Sequence, residues 1–483
     1  MASEFRERLR LIDLMVALVV VAVGLALLPH YLSGRGCGAR PHCANNMRQL
    51  GLALLNHWST AGSFPNAGTF RDDPALHGDD PTKSNIYLSI VAPGQSPGSH
   101  VSWLRSWVVD VLPYLDQQDL ANAWDRAYPY WWPTQTIPDQ PANLQISNVP
   151  LRVLCCPEDR TAGPGKGNLS YVVNGGFTRW PAVPVGWAGS PVDGQAWNGG
   201  IRQWVPPGRP WPESQAIGQK LGVMFLGTEL GDQPWDIKTT PANLLDGASN
   251  TLLIAENTLA GFSPGNRYSG GRATNWACPL PNFIMFMGSD DVCMTSRSPN
   301  DCLGGQLAPV SSGRDGPGWA RANRSGTYEN ISFGQKLRAE GSFPFANSPH
   351  VNGGNFVFCD GAVRFLKDSI NGTVYAKLLT PAGGRLPSQF MQRPLTADAL
   401  ERASADDFST HGPLQWLPIG LSTNSAQTPR LLIDQDSFLS SWRSLVGWAW
   451  PTEIPLVPKP MVWWAVPTLQ DCPWRQVTWR MHH

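Results

Sequence analysis

Charge is scarce in this sequence. Asp, Glu, Lys and Arg make up 15% of its 483 residues, against about 25% in an ordinary globular chain. The 37 basic and 37 acidic residues cancel, so there is no basic field to attract nucleic acid, and no nucleic-acid partner is expected. The short motifs that announce chemistry are also missing. There is no HExxH helix, GxSxG elbow, Walker A loop or EF-hand loop. No two cysteines have CxxC spacing, and none of the nine histidines pairs at i, i+3 or i, i+4 on an evident helix. On local spacing no catalytic residues, metal or cofactor are expected, and the chain is not expected to be an enzyme.

Glycine (48), proline (44) and tryptophan (22) are abundant instead. Turn-forming residues at that density, with β-prone apolar runs between them, imply a loop-rich, strand-rich exported protein rather than a helical one. The length allows two or three domains.

One long apolar run sets the location. Leu11 to Leu28 is apolar except for Asp13, with Arg6, Arg8 and Arg10 before it and Pro29 after it. These 18 residues span about 27 Å as a helix, enough for a short bilayer crossing. The run exceeds a usual signal-peptide core, and no small-x-small cleavage site follows Leu28. We therefore expect a retained transmembrane helix whose arginines hold the N-terminus in the cytoplasm. The bulk of the chain is then periplasmic or extracellular, on a single-pass inner-membrane protein. An acid in such a segment favours a cationic partner, which makes Asp13 an assembly candidate.

Outside the cytoplasm disulfides are permitted. Cys43 with Cys155 or Cys156, and two among Cys278, Cys293 and Cys302, are plausible bridges. The odd number of cysteines, nine, leaves one over.

Gly34, Gly36, Gly38 and Pro41 should break any helix after the anchor, giving a Gly-rich linker over 31–42. From Asn45, helical spacing puts Met47, Leu50, Gly51, Leu54, Leu55 and Trp58 on one stripe, ending before Gly62. Val101 to Tyr114 reads as a buried strand or short helix, and Leu115 to Tyr128 as helical. Leu169 to Asn174 reads as a strand stopped by Gly175 and Gly176. Asp246-Gly247-Ala248-Ser249-Asn250 is turn chemistry ahead of a strand ending at Glu256. Asn355–Cys359 and Ala362–Leu366, joined by Asp360-Gly361, predict a hairpin with a two-residue type I′ turn. Residues 409–483 hold eight tryptophans and one lysine, without periodicity, and read as a loosely packed or disordered tail.

Two candidate constellations remain. His350 needs an acid, and the nearest that follows it is Asp360. A strand between them puts Asp360 at the hairpin tip, about 10 Å or more away. His350 is thus expected to hydrogen-bond backbone in its loop, and Asp360 to make the turn. Trp131, Trp132, Trp180, Trp187, Trp197, Trp204 and Trp211 are candidates for stacking on a glycan, or simply for packing the loops.

Several separated motifs together resemble a known family. Leu11-Ile12-Asp13-Leu14-Met15-Val16 is similar to a prepilin N-terminus, with the processing junction at Arg8 and Leu9. Cys43-Ala44-Asn45-Asn46-Met47-Arg48-Gln49-Leu50-Gly51 follows, then Gly62-Ser63-Phe64-Pro65 and Cys156-Pro157-Glu158-Asp159. Asp246-Gly247-Ala248-Ser249-Asn250-Thr251 with Glu256, and His350, nine residues, then Asp360-Gly361, complete the set. Over residues 8–408 the chain resembles domain of unknown function 1559, known mainly from planctomycete bacteria. The resemblance implies an α+β fold, a pilin-like head with a helix packed on an antiparallel sheet and long insertions over 43–408. It implies no established activity. Arg8 stands where the family has a processing glycine, and Asp13 where it has glutamate.

The expected organisation is a cytoplasmic stub and anchor (1–30), the linker (31–42), the pilin-like domain (43–408) and the tail (409–483). The expected function is a pseudopilin-like envelope component with a structural or interaction role. Its partners would be the bilayer and other pilin-like subunits or envelope proteins. An anchored glycan-binding module is the alternative, and an exported hydrolase a third reading.

Overall fold

The structure is a computed structural model that describes most of residues 39–404. Outside the description lie 1–38, 405–483 and, internally, chiefly 73–77, 92–98, 185–210, 293–314, 324–329 and 333–343. The anchor, Asp13, Arg8, Leu9, Cys293, Cys302 and the tail thus lie outside the described residues. Among those described, no helix is long and apolar enough to cross a membrane.

Helix α1 (Ala39–Ala61) begins six residues earlier than Asn45 and enters the expected linker. Pro41 does not prevent this. It sits in the first turn, where backbone N–H groups lack helical partners anyway. The stripe buries Cys43, Met47, Leu50 and Leu54, with Leu55 and Trp58 half-buried beside them. The helix ends where the Gly62 N–H donates to the Trp58 carbonyl.

Among the described residues, ten short strands form three sheets. The largest, in order β10-β9-β7-β3-β8, joins β3 (Tyr171–Gly176), β7 (Leu252–Glu256), β8 (Met285–Met287), β9 (Gly353–Phe358) and β10 (Val363–Lys367). A second joins β1 (Gly68–Phe70), β2 (Trp103–Ser106) and β6 (Leu226–Thr228), and a third pairs β4 (Thr178–Trp180) with β5 (Val183–Pro184). The α+β class holds, but the sheets are mixed rather than antiparallel, since β3 pairs with β8, and β1 with β6, in parallel. Strand β3 is not stopped at Asn174. It runs through Gly175 and Gly176, where the Leu221 carbonyl occupies the space a Cβ would need.

Strands β3, β7 and β9 are buried along their whole length, because the sheet is covered on both faces. Successive β9 side chains alternate. Val357 lies under α1 at Gly51, while Phe356 packs edge-on against Tyr375 at 6.4 Å. Tyr375 belongs to a short helix, Gly372–Leu379, capped by the Asn371 side chain. Ser106 caps another, α2 (Trp107–Val111), so the stretch from Val101 to Tyr114 holds both a strand and a helix. The predicted helix from Leu115 shrinks to Gln118–Ala123, since Asp116 takes φ 58° and breaks the turn before it.

The hairpin differs in its turn. Gly361 N–H donates to Phe358 O at 2.9 Å, and Phe358 N–H to Ala362 O at 2.9 Å. Only Gly361 has positive φ (85°). This is a three-residue loop, a type I turn followed by a left-handed glycine. Asp360 supports it by accepting the Ala362 N–H at 2.9 Å.

A Cβ on Gly51 would lie 2.7 Å from Val357 Cγ1. Replacing Gly by Ala in a helix gains about 1 kcal/mol, whereas overpacking a core costs about 1–3 kcal/mol. Val357 is β-branched and held in a central strand, so the clash should win. Gly51→Ala should lower stability by about 1 kcal/mol in denaturant unfolding, and Val357→Ala in the same chain should remove that extra loss.

Candidate functional site

Three strand ends meet at one edge of the large sheet. Antiparallel pairing sets Tyr171, at the start of β3, opposite Glu256, at the end of β7. It also brings the end of β7 beside the start of β9. His350 lies just before β9, and Cys156 and Glu158 lie in the segment leading to β3. The first turns of α1 close this end. Cys43 is bonded to Cys156 across 113 residues, with Cα atoms 5.1 Å apart. Asn46, one turn on, donates to the carbonyls of Cys155 (3.0 Å) and Arg152 (3.3 Å). In the chain-entropy account a disulfide closing a loop of that length contributes about 4–5 kcal/mol.

His350 sits between two carboxylates. Nδ1 is 3.0 Å from Glu158 Oε2, and Nε2 is 3.2 Å from Glu256 Oε1. Cys156 Sγ lies 3.9 Å from Nε2. His350 and Glu256 are 5% and 1% exposed, Glu158 29%. Glu256 is held further by the Ser348 hydroxyl (2.6 Å), the Asn355 backbone N–H (2.9 Å) and the Asn355 side-chain amide (2.9 Å). Donor atoms of Cys43, Cys156, Glu256 and His350 all lie within 4.8 Å of one another.

Burial pulls the His350 pKa down. The hydrogen bond and charge of Glu256, then those of Glu158, outweigh it, and the pKa is raised above its ordinary 6.5. The imidazolium is thus the favoured partner of the two acids. Beside it, burial pushes the Cys155 thiol up to about 11, which makes it a poor nucleophile toward the neighbouring disulfide.

Several expectations change here. The His350 side chain pairs with two carboxylates rather than loop backbone, because β7 and the Cys156 loop deliver acids that are remote in sequence. Asp360 takes no part, being at the opposite end of β9. Asp246, Gly247 and Asn250 lie at the far end of β7 as a loop clasp. Asp246 accepts the Gly383 N–H at 2.6 Å, and the Asn250 amide donates to the Asp246 carbonyl at 3.0 Å. Cys278 is buried and unbridged, with burial raising its pKa to about 12 beside Tyr130. In sequence Glu158 stands only inside the motif Cys156-Pro157-Glu158-Asp159, with nothing to tie it to His350. Glu256 carried a signal, a carboxylate ending the apolar run Leu252-Leu253-Ile254-Ala255.

Among the described residues, Trp131, Trp132 and Trp180 form no shared open face. Trp180 is fully buried. Arg272 covers one face of Trp131 at 3.5 Å, and Trp132 packs between Tyr128 and Trp131. Trp187, Trp197, Trp204 and the Trp211 side chain lie outside the described residues.

A helix-covered mixed sheet with a covalently fastened His–carboxylate cluster defines the class of domain. The family described as "Protein of unknown function (DUF1559)" matches residues 38–373, and the chain belongs to it. No curated protein and no solved structure matches.

The His350 pairing sets a pH dependence. A histidine whose folded pKa is raised gives its full stabilisation below the unfolded value of 6.5 and loses it as pH rises through the folded pKa. Thermal unfolding of the disulfide-bonded chain should show stability falling over that window. His350→Gln should flatten this component, and Asp360→Asn should leave it in place.

Proposed function

We propose that the chain is a membrane-anchored, pseudopilin-like component of the cell envelope, with a structural or interaction role. The observation that carries this reading is α1, a 23-residue helix lying on β9 and following the apolar run Leu11–Leu28 in sequence. The Cys43–Cys156 disulfide supports export, since such bonds persist in oxidising compartments. Asp13 is the assembly residue in this reading, and Arg8 disfavours removal of the leader.

A glycan platform has less support, because Trp180 is buried and Trp131 is half covered. A hydrolase finds support in the converging carboxylates. However, both ring nitrogens of His350 are engaged by acids, which leaves neither to activate a nucleophile. A cavity of about 370 Å³ among the described residues is lined by Lys367, Ser369, Asn371 and Arg402, with no acid or thiol in its wall.

The test uses the full-length protein in membranes. It should resist carbonate extraction, be cut by protease added from outside, and retain Met1 or Ala2 in its intact mass. Recovery in the soluble fraction overturns the anchor, and a start at Leu9 overturns retention of the leader. Asp13→Ala should stay in the membrane and lose chemical cross-linking between copies. Unchanged cross-linking removes the assembly role.

A further inference from the structure

We propose that Cys43, Cys156, His350 and Glu256 form a divalent transition-metal site of the zinc class when the two cysteines are reduced. The metal and the disulfide then compete for the same pair of sulfurs. Four donors from four separate segments, two sulfurs, one imidazole nitrogen and one carboxylate oxygen, lie within 4.8 Å of one another. A tetrahedral zinc site with bonds of about 2.0–2.3 Å spaces its ligand atoms by about 3.3–3.8 Å. The two sulfurs, covalently joined here, must move apart, and donor pairs spaced nearer 4.8 Å must close by about 1 Å to reach that spacing.

The surroundings are those of a ligand set. A metal-bound histidine commonly donates its other ring N–H to a carboxylate, which fixes the tautomer and aims the free nitrogen. Nδ1 of His350 lies 3.0 Å from Glu158 Oε2, so Nε2 is the nitrogen presented to Glu256 and Cys156. The other ligands are oriented as well. Asn355 and Ser348 hold the Glu256 carboxylate, and Asn46 ties α1 to the carbonyl of Cys155. All four donor residues are buried.

The chemistry balances in both directions. A newly made chain carries both cysteines as thiols. Metal entry releases the two thiol protons, and the His350 Nε2 proton where present, to solvent, with no change of oxidation state. Disulfide formation instead removes two electrons and two protons. A thiol–disulfide oxidant takes them by exchange, its own disulfide becoming a dithiol while the Cys43–Cys156 bond forms. Bound metal withholds the thiolates from that exchange, and the formed disulfide withholds them from metal.

The test uses the purified full-length chain in detergent, in two states: disulfide-bonded, and reduced with a phosphine that is then removed under argon. Each is titrated with cobalt(II), and zinc content is measured after zinc loading and desalting. The reduced chain should bind one equivalent, show a thiolate-to-cobalt charge-transfer band that zinc abolishes, and become resistant to disulfide reagents. The disulfide-bonded chain should bind none. His350→Gln should lose the band, Glu158→Gln should weaken binding about 10–100-fold, and Cys155→Ser should leave it unchanged. Equal uptake by the two states overturns the site. So does a reduced chain without the band, or a band that survives His350→Gln, because adventitious thiolates in an unfolded chain would not depend on that residue.

Discussion

A carboxylate buried at the end of a central strand must be answered by donors, and much of this domain is arranged to answer Glu256. An unpaired ionised group there would cost several kcal/mol. Its two oxygens take up the His350 ring, the Ser348 hydroxyl and both donors of Asn355. Those partners come from one segment, 348–355, which must therefore approach β7 in a fixed register. The backbone adds to this, with Asn347 N–H donating to the Glu256 carbonyl at 2.8 Å. The entry to β9 is thus fixed by polar satisfaction at one end of β7, while apolar packing against α1 and Tyr375 holds the middle of the sheet.

The separated sequence motifs acquire a common logic from this topology. Nine residues separate His350 from Asp360, and strand β9 with the start of its turn fills that interval. Nine residues also separate Asp246 from Glu256, and the turn through Ala248–Asn250 with the first residues of β7 fills that interval. Because β7 and β9 run antiparallel, His350 and Glu256 meet at one end, and the two Asp-Gly turns lie at the other. There, Cys359 N–H donates to Thr251 O at 2.8 Å. One end fastens helix, sheet and loop through side chains. The other closes the chain through turn geometry. Spacings that look like motif punctuation are the combined lengths of strands and their turns.

What the sequence made legible was local. The α1 stripe, the hairpin strands and the strand ending at Glu256 follow from apolar periodicity and turn residues within a few positions. Their limits were misjudged where tertiary context overrode a local rule. Pro41 was tolerated in a first turn, Gly176 served a close approach rather than a stop, and the Asp-Gly loop took in Cys359. The cluster was hidden for a different reason. The nearest acid that follows His350 in sequence is Asp360, while the acids it pairs with lie 192 and 94 positions away. Such contacts are fixed by strand order, which no spacing of residues announces.

The cluster also shows why one arrangement can serve two chemical states. A disulfide between α1 and the Cys156 loop needs two sulfurs in contact, and a buried His–Glu pair needs partners to offset its desolvation. Placed together, they put soft and borderline donors around one point, which is the requirement for holding a zinc-class ion. The bond closes the helix onto the sheet in an oxidising compartment. In the dithiol chain an ion would close the same junction by coordinating both sulfurs. Either way, α1 is fastened over the strand ends where Glu256 must be satisfied, so the two states differ in the chemistry of the clasp and share its position.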